Sequence, residues 1–229
     1  MGSSFPDSAP GKQQADDPLV LLPCSTVIQV ERGGLIYGGE HPSAHLYVVM
    51  AGTVRVSRTA ALGGQVVIDV YKVNDFFGES TLLGSADTGE SAVAMEKTVL
   101  MCWAGDEVYR LLYSRPKLGL ELLRVMARRE IEFAERLESF SIDSIPIRLA
   151  KSLIRFSERL GSPAADGAVT MRAFSQEFLA EYVGTSRELV NTTMNEWRRQ
   201  ELLTYSRKEI TIRKNALREW INCNSIELR

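Results

Sequence analysis

The apolar residues of this chain change period once, near Asp106, and that change limits what it can fold into. Before it, "TVIQVERGG", "LYVVMAGTVRVSR", "GQVVIDVYKV" and "VAMEKTVLMCWAG" are short, rich in Val, Ile and Tyr, and bounded by Gly or by Asn and Asp. Runs of that kind are strands. Gly33-Gly34, Gly38-Gly39, Gly52 and Gly63-Gly64 supply the turns. Strands this short and closely spaced predict a small antiparallel barrel or roll. From Asp106, "DEVYRLLYSRPKLGLELLRVMARREIEFAERLESFSIDSI" is helical, with a break at Pro116.

Along the second helix, Leu123, Met126, Glu130, Phe133, Leu137 and Phe140 recur at spacings of 3, 4, 3, 4 and 3. That is a coiled-coil-like seam interrupted by one charge, and the opposite face is strongly charged. It predicts a homodimer. If Glu130 faces its own copy across a two-fold, burial and repulsion raise its pKa; a slightly rotated seam leaves it solvated. Residues 145–160, "IPIRLAKSLIRFSERL", form a further amphipathic helix that ends at Gly161.

"SQEFLAEYVGTSRELVNTTMNEWRRQELL" reads as two helices about a tight turn. Ser175 caps the first, and Phe178, Leu179 and Tyr182 give it an apolar face. Gly184 permits the turn, and Thr185-Ser186-Arg187-Glu188 has the S/T-x-x-E form of a capping box. Leu189, Val190, Met194 and Trp197 make the buried side of the second helix, about residues 186–200. Arg187, Glu188, Asn191 and Thr192 are left outward near its start, where a recognition helix reads base edges in the major groove. "LLTYSRKEITIRK" has the form of a two-stranded wing. Ser175, Thr185, Ser186, Arg198, and Arg207 and Lys208 at the wing tip are the candidate phosphate contacts.

Charge agrees with that division. The net charge is -2, yet residues 1–144 hold 13 Lys and Arg against 19 Asp and Glu, while residues 145–229 hold 14 against 10. Only the back half is suited to a polyanion. The three cysteines, Cys24, Cys102 and Cys223, are far apart and read as reduced thiols of a cytoplasmic protein. Without a CxxC motif, and with His41 and His45 as the only histidines, in one Pro-containing turn, no metal or cofactor is expected. No Ser/His/Asp or Cys/His arrangement points to an enzyme. A cupin-like metal enzyme is the competing class, and it needs interior His and Glu ligands that this pattern does not offer. The longest charge-free apolar run, "PLVLLPCSTVIQV", is too short and polar to span a bilayer, and the first residues have no signal-peptide pattern.

Taken in order, "HLYVVMAGTVRVSR", "VNDFFGESTLL", "VMARREIEFAERL", "IRLAKSLI" and the helix-turn-helix stretch resemble the cyclic-AMP receptor protein / fumarate-nitrate regulator family over about residues 19–220. The resemblance implies an α+β fold: an N-terminal antiparallel β-roll of the cyclic-nucleotide-binding, jelly-roll type, a long dimerisation helix and a C-terminal winged helix-turn-helix. The expected division is a disordered tail at 1–18, a β-roll sensor at 19–105, a helical linker with the dimerisation helix at 106–142, and the DNA-binding domain at 143–229. It implies a homodimeric bacterial transcription regulator bound to a palindromic operator, with RNA polymerase as a further partner. Arg187 and Glu188 occupy the family's base-reading positions. Where cyclic-AMP-type members carry a second arginine, this chain has Thr192 after Asn191.

The resemblance also locates an effector pocket: Tyr71, Gly78, Glu79, Glu90, Ser91, Phe133 and Ala134. In nucleotide-binding members, Phe-Gly-Glu meets the ribose and an Arg-Ser pair holds the cyclic phosphate. Gly78 and Glu79 are kept, but Glu90 stands where the arginine belongs, and residues 74–94 hold no Lys or Arg. At ~4 Å and an effective dielectric near 20, exchanging attraction for repulsion costs several kcal/mol. The adenine-contacting Thr-Ser pair is replaced by Phe133-Ala134. Three readings follow: a vestigial pocket in a constitutive protein, a pocket for a different effector of unknown identity, or cyclic AMP held in an altered pose by Arg55 or Arg58.

Overall fold

A computed structural model describes residues 22–39, 41–60, 63–84, 89–164 and 167–226. The tail expected at 1–18 lies outside them.

Eight strands form two four-stranded antiparallel sheets. The first orders β1 (Thr26–Val30), β8 (Thr98–Ala104), β3 (His45–Ala51) and β6 (Phe76–Phe77). The second orders β2 (Leu35–Tyr37), β7 (Glu90–Ala94), β4 (Val54–Thr59) and β5 (Gln65–Tyr71). Alternation places one side chain in two inward, and Tyr37, Val49, Val54, Val56, Phe77 and Leu100 fill the space between the sheets. Gly52, at φ 85°, makes the β3–β4 turn; a Cβ there meets Lys97 O at 2.7 Å. This is the predicted β-roll. Two of its strands, β2 and β6, are too short to be read from sequence periodicity.

Helix α1 (Gly105–Ser114) follows β8 directly, and α2 (Pro116–Ile142) begins with proline in its first turn, where no intrahelical N–H is lost. Val108, Leu118 and Leu122 pack on Leu46, Val48, Phe76 and Trp103, which anchors the start of α2 to the roll. Beyond that anchor α2 leaves a stripe uncovered. Leu123 and Leu137 are 64% and 68% exposed, and Met126, Phe133 and Phe140 are exposed with them, as is Glu130.

The C-terminal part consists of α3 (Ile145–Leu160), α4 (Gln176–Val183), α5 (Arg187–Arg199), α6 (Lys214–Ile226) and a small sheet. That sheet runs β11 (Leu203–Tyr205), β12 (Glu209–Ile212), β10 (Val169–Arg172) and β9 (Ser162–Pro163). Its core joins Leu149, Leu153, Phe156, Phe178, Trp197 and Ile212. Val67 and Val70 of β5 belong to this same core, so the roll and the winged helix are packed together.

A buried ion cluster sits at that junction. Asp69 on β5 is 2% exposed. Arg159 of α3 grips both its oxygens at 2.8 and 2.7 Å and also reaches Asp75 at 3.1 Å. Arg155 adds a contact at 3.4 Å and bridges to Glu132 of α2. Arg136 of α2 donates to the carbonyls of Ile68, Val67 and Tyr182 at 2.7, 2.8 and 2.7 Å, tying the long helix to β5 and to the end of α4. Removing one partner of a buried pair strands the other charge. Asp69→Asn should therefore lower the unfolding free energy by about 3 kcal/mol in urea titrations. Trypsin should then cut sooner near Asp143, between α2 and α3. Unchanged stability and cleavage would mean that the cluster does not hold the junction.

Candidate nucleic-acid interface and sensor interior

The turn between α4 and α5 carries the surface of interest. Ser175 accepts from the N–H of Phe178 at 3.1 Å, which caps α4. Gly184 closes that helix in the left-handed region, at φ 72°. Phe178, Leu179 and Tyr182 are buried as the sequence predicts. The cap of α5 is one residue later than predicted. Ser186, not Thr185, accepts from Leu189 at 3.3 Å, so Glu188 falls in the second helical position and the capping box does not form. The carboxyl of exposed Glu188 is instead held below its ordinary value by its own backbone N–H and by the Ser186 hydroxyl. Leu189, predicted on the buried side, sits at its edge and is 37% exposed, while Thr193 joins Val190, Met194 and Trp197 inside.

Arg187, Ser175, Gln176 and Arg207 line one cleft of about 540 Å³ between the start of α4, the start of α5 and the wing. Thr185, Ser186, Glu188, Asn191, Thr192, Arg198 and Lys208 lie outside that cleft, so of the predicted base readers only Arg187 lines it. Asn191 accepts from Gln176 at 2.9 Å and from Asn195 at 3.0 Å, a pairing that couples the two helices. Thr192 donates back to the Glu188 carbonyl at 3.0 Å. The wing turn is ordered by Ser206, whose hydroxyl accepts from the N–H groups of Lys208 and Glu209 at 3.2 and 3.1 Å, leaving Arg207 and Lys208 exposed. Arg198 lies 5.6 Å from the Tyr205 ring. Arg32, on the β1–β2 turn of the roll, lines the same cleft as Arg187 and was not signalled by any motif.

Inside the roll, Gly78 takes φ 82°, and a Cβ there meets His45 O at 2.5 Å; glycine is required. Cations do neighbour the two carboxylates, contrary to the local sequence. Arg129, from α2, pairs with Glu79 at 3.1 Å and donates to the Phe76 carbonyl. Its guanidinium lies over the Tyr71 and Phe76 rings at 4.8 and 4.3 Å. Glu90 stands opposite Arg58 across the β4–β7 ladder, and Ser91 opposite Ser57, with their hydroxyls 3.1 Å apart. Arg55 is turned to Glu181 at 3.5 Å. Phe133 and Ala134 are exposed on α2 and line no interior wall within the single chain.

Aromatic rings occupy the interior. Phe77 stacks on Tyr47 at 5.0 Å, on Tyr71 at 5.5 Å and on Tyr37 at 6.2 Å. Tyr37 is 3% exposed and its hydroxyl has no hydrogen-bond partner among the described residues. Burial raises its pKa, helped by Glu90 and Glu79. Burial likewise pushes Tyr47 up to about 12 and raises Tyr71. Tyr37→Phe should thus raise stability by about 1 kcal/mol, because an unmet polar group is removed. Stability should also fall as pH rises past about 10, where the unfolded tyrosines lose protons that the folded ones keep. Urea unfolding across pH checks both: the Phe variant should show the shallower fall. A less stable variant would show that the hydroxyl has a partner.

The model of the cyclic nucleotide-binding domain matches residues 27–115, and that of the Crp-like helix-turn-helix domain matches residues 147–220. A CRP-like cAMP-activated global transcriptional regulator of Mycobacterium tuberculosis is 26% identical over 193 residues, covering 81% of this chain and 83% of that protein. The global nitrogen regulator of a Nostoc species is 25% identical over 186 residues, covering 80% and 83%. The structure of FixK2 from Bradyrhizobium japonicum shares the fold with a TM-score of 0.73 at 20% identity, covering 85% of this chain and 96% of that one. Carrying both domain types in that order, the chain belongs to the cyclic-AMP receptor protein / fumarate-nitrate regulator family of transcription regulators, not to a family of enzymes.

Proposed function

We infer that this regulator acts as a homodimer on a palindromic operator and does so without cyclic AMP. The observation that carries the DNA reading is the convergence of Arg187, Ser175, Gln176 and Arg207 on one cleft at the start of the outward helix. Arg187 and Glu188 read bases, Thr192 reads the next turn, and Asn191 reads when its bond to Gln176 opens. Ser175, Thr185, Ser186, Arg198, Arg207 and Lys208 hold phosphates. Two copies place their recognition helices about one DNA turn, ~34 Å, apart. RNA polymerase is a further partner of the bound dimer.

The uncovered stripe on α2 supports the dimer. Leu123, Met126, Phe133, Leu137 and Phe140 are exposed along one side of a 27-residue helix. Each such side chain gains about 1.5–3 kcal/mol on full burial. The sensor interior supports independence from cyclic AMP. Four stacked aromatic rings and the Glu79–Arg129 pair occupy it, and by the resemblance Glu90 replaces the arginine that holds the cyclic phosphate. The cytoplasm is where such a regulator meets DNA.

Selection from random DNA, followed by anisotropy at fixed salt, tests the reading. Arg187→Ala should lose about 1–3 kcal/mol at one base pair and relax preference there. Lys208→Ala should weaken all sequences alike and reduce the salt slope by about 1. Leu137→Asp should give monomers in sedimentation and abolish tight binding to a two-half-site operator. An Arg187→Ala protein with unchanged base preference would overturn the assignment of α5.

A further inference from the structure

A cavity of about 590 Å³ lies where the long helix turns back, between the C-terminal half of α2, α3, the end of α4 and α6. Most charged groups around it are committed. Arg155 and Arg159 hold Glu132, Asp69 and Asp75; Arg218 holds Glu158; Lys151 holds Asp143. Arg136 is engaged by three carbonyls.

Arg148 is the exception. Its Nη1 makes one long contact, 3.5 Å, with the Asp143 carbonyl, and no carboxylate forms an ion pair with it among the described residues. Its guanidinium rests against the Phe140 ring at 4.9 Å, which leaves the edge of the fork for other partners. A second observation falls at the same place. Six buried side-chain polar atoms lack a partner among the described residues, and three of them, Arg148 Nε, Arg155 Nε and the Tyr182 hydroxyl, belong to residues of this wall. All three can donate, so the wall is short of acceptors.

The opposite rim carries acid. Residues turn about 100° apiece around a helix, so Arg136 and Phe140 share one edge of α2 while Glu135 and Glu138 share the other. Both glutamates line the cavity, are exposed and form no ion pair among the described residues. They disfavour a multiply charged anion and suit a ligand with a neutral or cationic far end. Phe140 belongs both to the end of the apolar stripe and to the cavity wall, whereas Glu135 and Glu138 lie about 100° or more around the helix from Leu137, so a partner helix on the stripe borders the Phe140 side of the cavity and leaves its acidic rim open.

We propose that this junction cavity is a small-molecule site for a monocarboxylate, an aromatic acid or an amino-acid-like zwitterion, whose carboxylate enters the fork of Arg148. The site is separate from the β-roll interior and touches α2, α3, the end of α4 and α6, beside the Asp69 cluster.

Isothermal titration of the full-length protein at fixed ionic strength, without DNA, tests this independently of the DNA reading. The probes are benzoate, L-phenylalanine and inorganic phosphate. At least one of the two carboxylates should bind saturably, one per chain and more tightly than phosphate. Arg148→Lys, which loses the two-pronged geometry, should weaken it about tenfold or more. Glu138→Gln, on the exposed rim and without effect on packing, should tighten benzoate and weaken L-phenylalanine; it decides the matter if Arg148→Lys does not fold. Absence of saturable carboxylate binding, tighter binding of phosphate, or affinities untouched by both substitutions would overturn the proposal.

Discussion

Asp69 is the residue on which the arrangement of the molecule depends. It is a carboxylate buried on β5 of the roll, and its counter-charges come from α3 of the winged helix. Taking such groups out of water costs more than a generic contact returns, so the cluster is favourable only when complete. Arg155 carries it on to Glu132 of α2, and Arg136 binds carbonyls of β5 and α4. Sensor strand, long helix and DNA-reading unit therefore meet at one polar knot, flanked by Val67 and Val70 in the C-terminal core. A change in the angle between the halves must break or rebuild that knot. A ligand alters that angle only through differential affinity for the two arrangements.

The roll interior is organised by the same logic of internal partners. Arg129 reaches in from α2, neutralises Glu79 and covers Tyr71 and Phe76. Stacked rings fill the space beside it. In our reading these contacts supply, permanently and from within the chain, the link between roll and long helix that a nucleotide supplies elsewhere. The junction cavity at Arg148 is then the better-placed point for a small molecule to act.

Much of this was legible in the sequence because it rests on local rules. The period change at Asp106 separates roll from helices, and Gly52 and Gly184 mark turns that take positive φ; the positive φ of Gly78 is not signalled by the pattern. Arg187 and Arg207 were found through helix-turn-helix and wing patterns, and the cleft brings them together. What was missed depends on contacts distant in sequence. Arg129 meets Glu79 across 50 positions, and Asp69 meets Arg159 across 90. Tyr37 sits on a three-residue strand with no readable period. Thr185 and Ser186 both fit the first position of a cap, and only the fold shows that Ser186 takes it; Leu189, in the first turn, lies at the edge of the buried face.

The central claim is that this family member reads DNA with its sensor interior filled by its own side chains. The most direct test is fluorescence anisotropy on a labelled palindrome selected from random DNA, with and without cyclic AMP at one salt concentration. The account predicts tight, sequence-specific binding by the protein alone and the same affinity when cyclic AMP is added. A large gain in affinity on adding the nucleotide would contradict it, since the aromatic stack and the Glu79–Arg129 pair would then have to open to admit the ligand.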